Sequence, residues 1–279
     1  MCPIAHTLAE AIAYAPQVPA APHFSARTLD DAPDLLVQSY RLRYEVYCLE
    51  RKFLPAEDYP TGLERDEFDS HALHVGAVDA SGELAGTSRA VMVSELGLPL
   101  FGHCTSFPHE TEFHSTNPRL VEVGRLVVGR GYRRRRNDVV CGVHDASKSD
   151  HVLDPRQGER RSVGEDAFMT VLKALYQATG RSGATHWLTA MEEPLRHQLA
   201  EQGFPFRAFG PETEYYGRVV PYQMSLRELD AAILSGRFPG LNAFAAASKP
   251  ELAAQTHDVQ SQSPDGQPHG PAIALRDGR

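Results

Sequence analysis

Residues Arg119 to Arg136, RLVEVGRLVVGRGYRRRR, constrain this chain more than any other stretch. Leu120, Val121, Val123, Leu126, Val127 and Val128 form a β-branched, apolar run of strand length. Two charges, Glu122 and Arg125, interrupt it. A strand does not bury a carboxylate and a guanidinium without partners, so other parts of the chain must supply them. The two have opposite parity and would face opposite sides of a regular sheet. Gly124 lies between them, and we expect a β-bulge at or next to it that resets the register. Beyond the apolar run, Arg130, Arg133, Arg134, Arg135 and Arg136 follow with no acid among them. A strand that delivers such a loop can bind an anion; a core strand followed by a solvated turn is the plainer alternative.

The molecule as a whole is acidic, with a net charge of −8, so this basic run is a local patch. That argues against general nucleic-acid binding and for a specific anionic partner. At 279 residues the chain can bury a substantial core. Cys2, Cys48, Cys104 and Cys141 show no CxxC spacing and no disulfide framework, which suits a reducing cytoplasm. No apolar run reaches the roughly 18 residues of a membrane span. The N-terminus lacks the basic region of a signal peptide.

Residues 1–22 are rich in Ala and Pro and read as a flexible arm; residues 246–279 read as a disordered, Gln-, Ser-, Pro- and Gly-rich tail. Between them, residues 23–245 are expected to form one domain. His23 to Leu29 reads as a short strand and Ala32 to Glu50 as an amphipathic helix. On that helix Arg43 and Tyr47 are four apart, which alone describes a surface arginine packed over a tyrosine. A loop carries Glu64, Asp66, Glu67 and Asp69, and such clusters are usually solvated. His71 to Val78 and Glu83 to Val93 form a hairpin about Ser81-Gly82, with Arg89 inside its second strand. His71 and His74 near Asp69 raise a metal site, but strand spacing sends the two rings to opposite faces. Ser94 to Pro118 is irregular, and Asn137 to Ser162 reads as a polar insertion. Val163 to Thr179 is a helix closed by Gly180, Ala184 to Met191 a strand, and Glu193 to Gln202 a helix stopped by Gly203. Phe204 to Phe209 and Arg218 to Met224 read as strands, and Ser225 caps a helix to about Leu234. This order describes a mixed α/β domain with a central sheet.

Leu126-Val127-Val128-Gly129-Arg130-Gly131-Tyr132-Arg133 resembles the end-of-strand signature of GNAT-type acyltransferases. That resemblance implies a GNAT-like fold, a mixed sheet flanked by helices, with Val128, Arg130, Arg133, Arg134 and Arg135 holding the acyl carrier's phosphopantetheine. Arg134, Arg136 and Asp138 replace the glycines that bring a backbone close to a diphosphate. The set Arg43-x-x-x-Tyr47, Glu64-x-Asp66-x-x-Asp69, Arg89 and Glu122-x-x-Arg125 is similar to acyl-homoserine-lactone synthases, which use acyl-acyl carrier protein. Tyr47 departs from that family's usual phenylalanine, and Phe53 lies near its usual tryptophan. Closer still are N-acyl amino acid synthases and the acyltransferases associated with exosortase (PEP-CTERM) systems. These resemble Arg43-Tyr44-Glu45-Val46-Tyr47-Cys48, the arginine run, Tyr215-Tyr216-Gly217 and Pro221-Tyr222. The resemblance covers about residues 25 to 235.

What it implies is an enzyme with no bound cofactor and no metal, moving a fatty acyl group from acyl-acyl carrier protein to the amine of an amino acid or related small molecule. Its partners would be an acyl carrier protein and that amine; no nucleic acid and no integral membrane contact are expected, while peripheral contact is compatible. The alternatives are a homoserine-lactone synthase using S-adenosylmethionine and a non-catalytic acyl-carrier or lipid-binding module. Acyl transfer from a thioester needs a neutral amine, and a partly buried carboxylate can take its proton. Glu122 is the first candidate, with Arg125, Arg89 and Asp69 as further catalytic-site residues. Arg43, Tyr47, Glu64 and Asp66 are candidates for substrate binding, or for an ion-pair network that supports the site. No cysteine has an evident His partner, so a covalent acyl-enzyme is the weaker route.

Overall fold

The computed structural model describes residues 23–107, 118–133 and 156–245, with only the backbone course given for 156–165. Strands β1 (Phe24–Thr28), β2 (Ala72–Asp79), β3 (Leu84–Met92), β4 (Leu120–Val128), β5 (His186–Met191), β6 (Arg207–Ala208), β7 (Thr213–Glu214) and β8 (Arg218–Ser225) build one sheet. Its order is β1-β2-β3-β4-β5-β8-β6, with β7 paired to β8. Every pairing is antiparallel except that of β4 with β5. Helices α1 (Pro33–Tyr44), α2 (Arg156–Arg181), α3 (Glu193–Glu201) and α4 (Leu226–Leu234) complete the main elements.

Val121, Val123 and Val128 of β4 pack in the main core with Phe168, Val171, Leu172 and Leu175 of α2. Val127 instead joins Leu42 and Val46 of the α1 segment in a separate cluster. That change of parity along β4 has a local cause. Thr87 pairs with Val127 and Arg89 with Gly124, so two steps on β3 meet three on β4. The bulge expected beside Gly124 is present, and Arg125 within it takes a left-handed φ of 53°. Ser88 Oγ donates to the Gly124 carbonyl at 2.8 Å and helps hold it. Glu122, Arg125 and Val127 are thereby set on the α1 side of the sheet.

The β4–β5 ladder comprises only Leu120–His186, Val121–Trp187 and Glu122–Leu188. Both strands continue, β4 to Val128 and β5 to Met191, but apart from each other. A fork therefore opens at Glu122, and a cleft lies in it between Val123, Gly124 and Arg125 on one wall and Ala190, Met191 and Glu192 on the other.

Several sequence boundaries need correction. α2 begins at Arg156, so the end of the supposed 137–162 insertion is helical; the helix runs to Arg181, and Gly183 (φ 74°) turns the chain rather than Gly180. The expected strand at Phe204 to Phe209 shrinks to two residues, and Ser225 makes no side-chain capping bond to α4. The Ala32–Glu50 helix is α-helical only to Tyr44; Glu45–Glu50 is a π-helical turn. The arm, the tail, Cys2, Cys141, Arg134, Arg135 and Arg136 lie outside the described residues. No described helix is long and apolar enough to cross a membrane.

Gly76 tests the tightness of the sheet. A Cβ there would stand 2.5 Å from Leu84 Cδ1 and 2.9 Å from the Gly86 carbonyl of the neighbouring strand. Gly76→Ala should destabilise the domain by about 1–3 kcal/mol through overpacking. The denaturant midpoint should fall while the slope stays constant.

Candidate active site

Three arginines and three carboxylates from separate elements interlock beside the fork. Arg43 of α1 donates from Nε to Glu64 at 2.5 Å and from Nη1 and Nη2 to Asp69 at 2.7 and 3.0 Å. Arg89 of β3 grips both oxygens of Asp66, at 2.6 and 2.7 Å, and reaches Asp69 at 2.7 Å. Arg125 bonds Glu64 at 3.1 Å and Asp66 at 3.2 Å. Arg43 is 1% exposed and Glu64 0%, so neither the surface arginine nor the solvated acidic cluster is realised; of that cluster only Glu67 stays exposed. Partners on facing elements make the burial tolerable, which spacing along one helix or loop does not reveal.

The acids are held by their own turn as well. Asp66 caps the short helix Glu67–His71 by accepting from Phe68 N, while its own N–H donates to Asp69 at 2.8 Å. Burial alone would raise the Asp69 pKa, but hydrogen bonds from His74 and Arg43 overcome it and keep the carboxyl far below its usual range. His74 lies between Asp30 (Nδ1, 2.8 Å) and Asp69 (Nε2, 3.0 Å). Its position is explained by two carboxylates, a role for Asp30 that its sequence context does not signal.

Glu122 stands apart from this network. Its carboxylate accepts from the Leu100 backbone N–H at 2.7 Å. Burial raises its pKa to about 7, against the pull of that bond and of the Arg89 and Arg125 charges. The pairing partner of Arg125 is thus the Glu64–Asp66 pair rather than Glu122. Leu100 belongs to the irregular segment after β3, where only the buried run Leu98 to Leu100 hints at a packed loop.

The cleft brings Glu122 and Arg125 together with Tyr47, Phe53, Tyr215 and Tyr216. The Arg125 guanidinium stands over the Tyr47 ring at 5.5 Å. Tyr215 stacks on His103 at 4.1 Å, and burial raises its hydroxyl to about 12. Tyr215 and Tyr216 were visible in the sequence only as a shared motif, without a role. The anion-site candidates separate: Val128 is core, Arg130 is exposed, and Arg133 pairs with Glu50 at 2.6 Å. Cys48 and Cys104 are buried, and burial raises both thiols to about 11, which removes them as nucleophiles.

Glu122 carries a stability signature. Its pKa rises on folding from 4.5 to about 7, so its contribution is complete below pH 4.5 and lost as pH climbs through about 7. Wild type should lose roughly 2–4 kcal/mol between pH 4.5 and 8 that Glu122→Gln does not lose. Paired urea titrations across that range measure it; parallel curves would contradict the assignment.

Residues 42–141 match the family model described as an acetyltransferase (GNAT) domain. Among solved structures, BjaI, a CoA-dependent acyl-homoserine lactone synthase solved with SAM and isopentyl-CoA, superposes with a TM-score of 0.51 at 17% identity, covering 82% of this chain and 99% of that one. The AHL synthase LasI gives 0.47 at 13% identity over 74% and 91% of the two chains. FeeM, an N-acyl amino acid synthase from uncultured soil microbes, gives 0.46 at 15% identity over 76% and 95%. No curated protein sequence matches significantly. The sheet order, the family model and the superposition on BjaI agree: the domain has the fold of the GNAT-type acyltransferases.

Proposed function

We propose that this protein is an N-acyltransferase that moves a fatty acyl group from acyl-acyl carrier protein to the amine of an amino acid or a related small molecule. The observation that carries this reading is Glu122: a buried carboxyl at the fork of β4 and β5, raised to about 7 and lining an aromatic cleft. In this scheme the carrier's pantetheine arm lies in the fork and brings the thioester carbonyl to Glu122. The amine nitrogen attacks that carbonyl, a C–N bond forms, and the C–S bond breaks as thiolate leaves. Glu122 takes the proton shed by nitrogen. Strand N–H groups on the β4 wall stabilise the oxyanion. Arg43, Arg89 and Arg125 with Glu64, Asp66 and Asp69 position this wall, and Tyr47 bounds the substrate space.

The acyl-carrier preference rests on the sequence Arg133-Arg134-Arg135-Arg136, which has no glycine to wrap a diphosphate. BjaI is CoA-dependent, so donor choice is the decisive comparison. Amide formation followed by mass spectrometry, with acyl-carrier and acyl-CoA donors of matched chain length and a mixture of amino acids, should favour the carrier. Equal or faster turnover with acyl-CoA overturns the donor assignment, and a lactone product from S-adenosylmethionine would identify a homoserine-lactone synthase instead. Glu122→Gln should lower kcat by roughly 10²- to 10⁴-fold, and wild-type activity should rise with pH to a plateau above about 7. Full activity in the variant removes Glu122 from the chemistry.

A further inference from the structure

Two excursions from the sheet meet on the face where Glu122 projects. Val91 and Leu188 are the strand partners of Glu122, so their side chains share its face. Both belong to one apolar cluster with Leu100 and Phe209, against which Tyr215 packs. Leu100 comes from the segment after β3, and Phe209 and Tyr215 come from the segment that joins β6 to β8. These segments are fastened to each other. The Phe107 N–H donates to the Phe209 carbonyl at 2.8 Å, and the Phe101 and Phe209 rings meet at 6.5 Å. A Cβ on Gly210 would stand 2.0 Å from the Thr105 carbonyl oxygen, so only glycine lets the two backbones come this close.

The Tyr215 ring needs a holder of its own. β7 has two residues, paired as Thr213–Val219 and Glu214–Arg218. The chain then turns through Tyr216 at φ 54° and Gly217 at φ 119°, with the Tyr215 N–H on the Gly217 carbonyl at 2.8 Å. A ladder this short sets the course of the backbone without setting the aim of a ring beyond its end. His103 supplies the missing constraint. Its ring lies on that of Tyr215 with centroids 4.1 Å apart and planes 13° from parallel. His103 is otherwise exposed, while Tyr215 lines the cleft with Glu122 and Arg125. Three residues before His103, the Leu100 N–H holds the Glu122 carboxylate.

We propose that His103 is a positioning residue that aims the Tyr215 ring as the wall of the acceptor's half of the cleft. This rests on the acyl-transfer reading above. There the acceptor amine lies at Glu122, so the rest of the acceptor extends over the face that Val91, Leu188 and Tyr215 share, while the donor's arm lies between the strands. One loop thus sets the base through a backbone N–H and the acceptor wall through a ring. Mutation separates the two contacts, because the side chain at 103 can be removed without touching the Leu100 N–H.

Steady-state kinetics on the full chain test this, using the amino acid that wild type acylates fastest from a mixture of the standard ones. His103→Ala should raise the acceptor KM about 3- to 10-fold, the worth of one aromatic stack. The donor KM and the pH midpoint of kcat should stay at their wild-type values, since Glu122 keeps its Leu100 bond. His103→Phe, which restores a flat ring, should return the acceptor KM to near wild type. In a Tyr215→Ala background His103→Ala should have no further effect, as expected of a residue that acts through another. A variant that was merely loosened would show its loss in both backgrounds. An acceptor KM unmoved by His103→Ala, or an equal effect with and without the Tyr215 ring, overturns the proposal while leaving the transfer reading intact. Wild type that forms no amide with any amino acid overturns both.

Discussion

The ion-pair lattice of Arg43, Arg89 and Arg125 with Glu64, Asp66 and Asp69 is the interaction on which the rest of this site depends. It ties α1, the loop before β2, β3 and β4 together with charges that balance within the cluster. Replacing such a lattice with apolar packing often leaves a protein as stable or more so. Its value lies in geometry: planar forks fix direction as well as distance, and each carboxylate here has more than one donor. Of the loop from Glu64 to Asp69 only Phe68 packs against the apolar core, so these bonds do most to fix where it lies.

Arg125 shows the cost of that arrangement. A non-glycine residue with φ 53° is strained, and the strain persists only because the surroundings overdetermine it. Here the bulge, the Ser88 bond to the Gly124 carbonyl and two carboxylates all hold the same residue. The strained backbone puts Arg125 on the same side of the sheet as Glu122. Without it, one of the two would project into the apolar core beneath α2.

Much of this was legible in the sequence because the anomalies were charges in places that exclude them. Glu122, Arg125 and Arg89 each announced a partner, and the parity conflict announced the bulge. What stayed hidden were contacts made by backbone or by distant loops. The Leu100 N–H that binds Glu122 leaves no mark on residue type, because any residue but proline supplies it. The burial of Arg43 was equally hidden, since helical spacing places a side chain on a face without saying what covers that face. The helix starting at Arg156 was missed because its first turns are polar and lack the 3.6-residue apolar repeat.

The widened turn at Glu45–Glu50 has a consequence of its own. The Arg51 N–H bonds to the Val46 carbonyl, five residues back, so this turn holds one residue more than an α-helix would. Downstream of it, the helical wheel that fits Arg43 no longer applies: everything after the turn is rotated by about 100° relative to an unbroken helix. Deleting one residue here would restore the bonding pattern of an ordinary α-helix. It would also swing Tyr47 away from the cleft. The aim of the cleft's Tyr47 is therefore set at this one turn, and an ordinary α-helical turn would lose it.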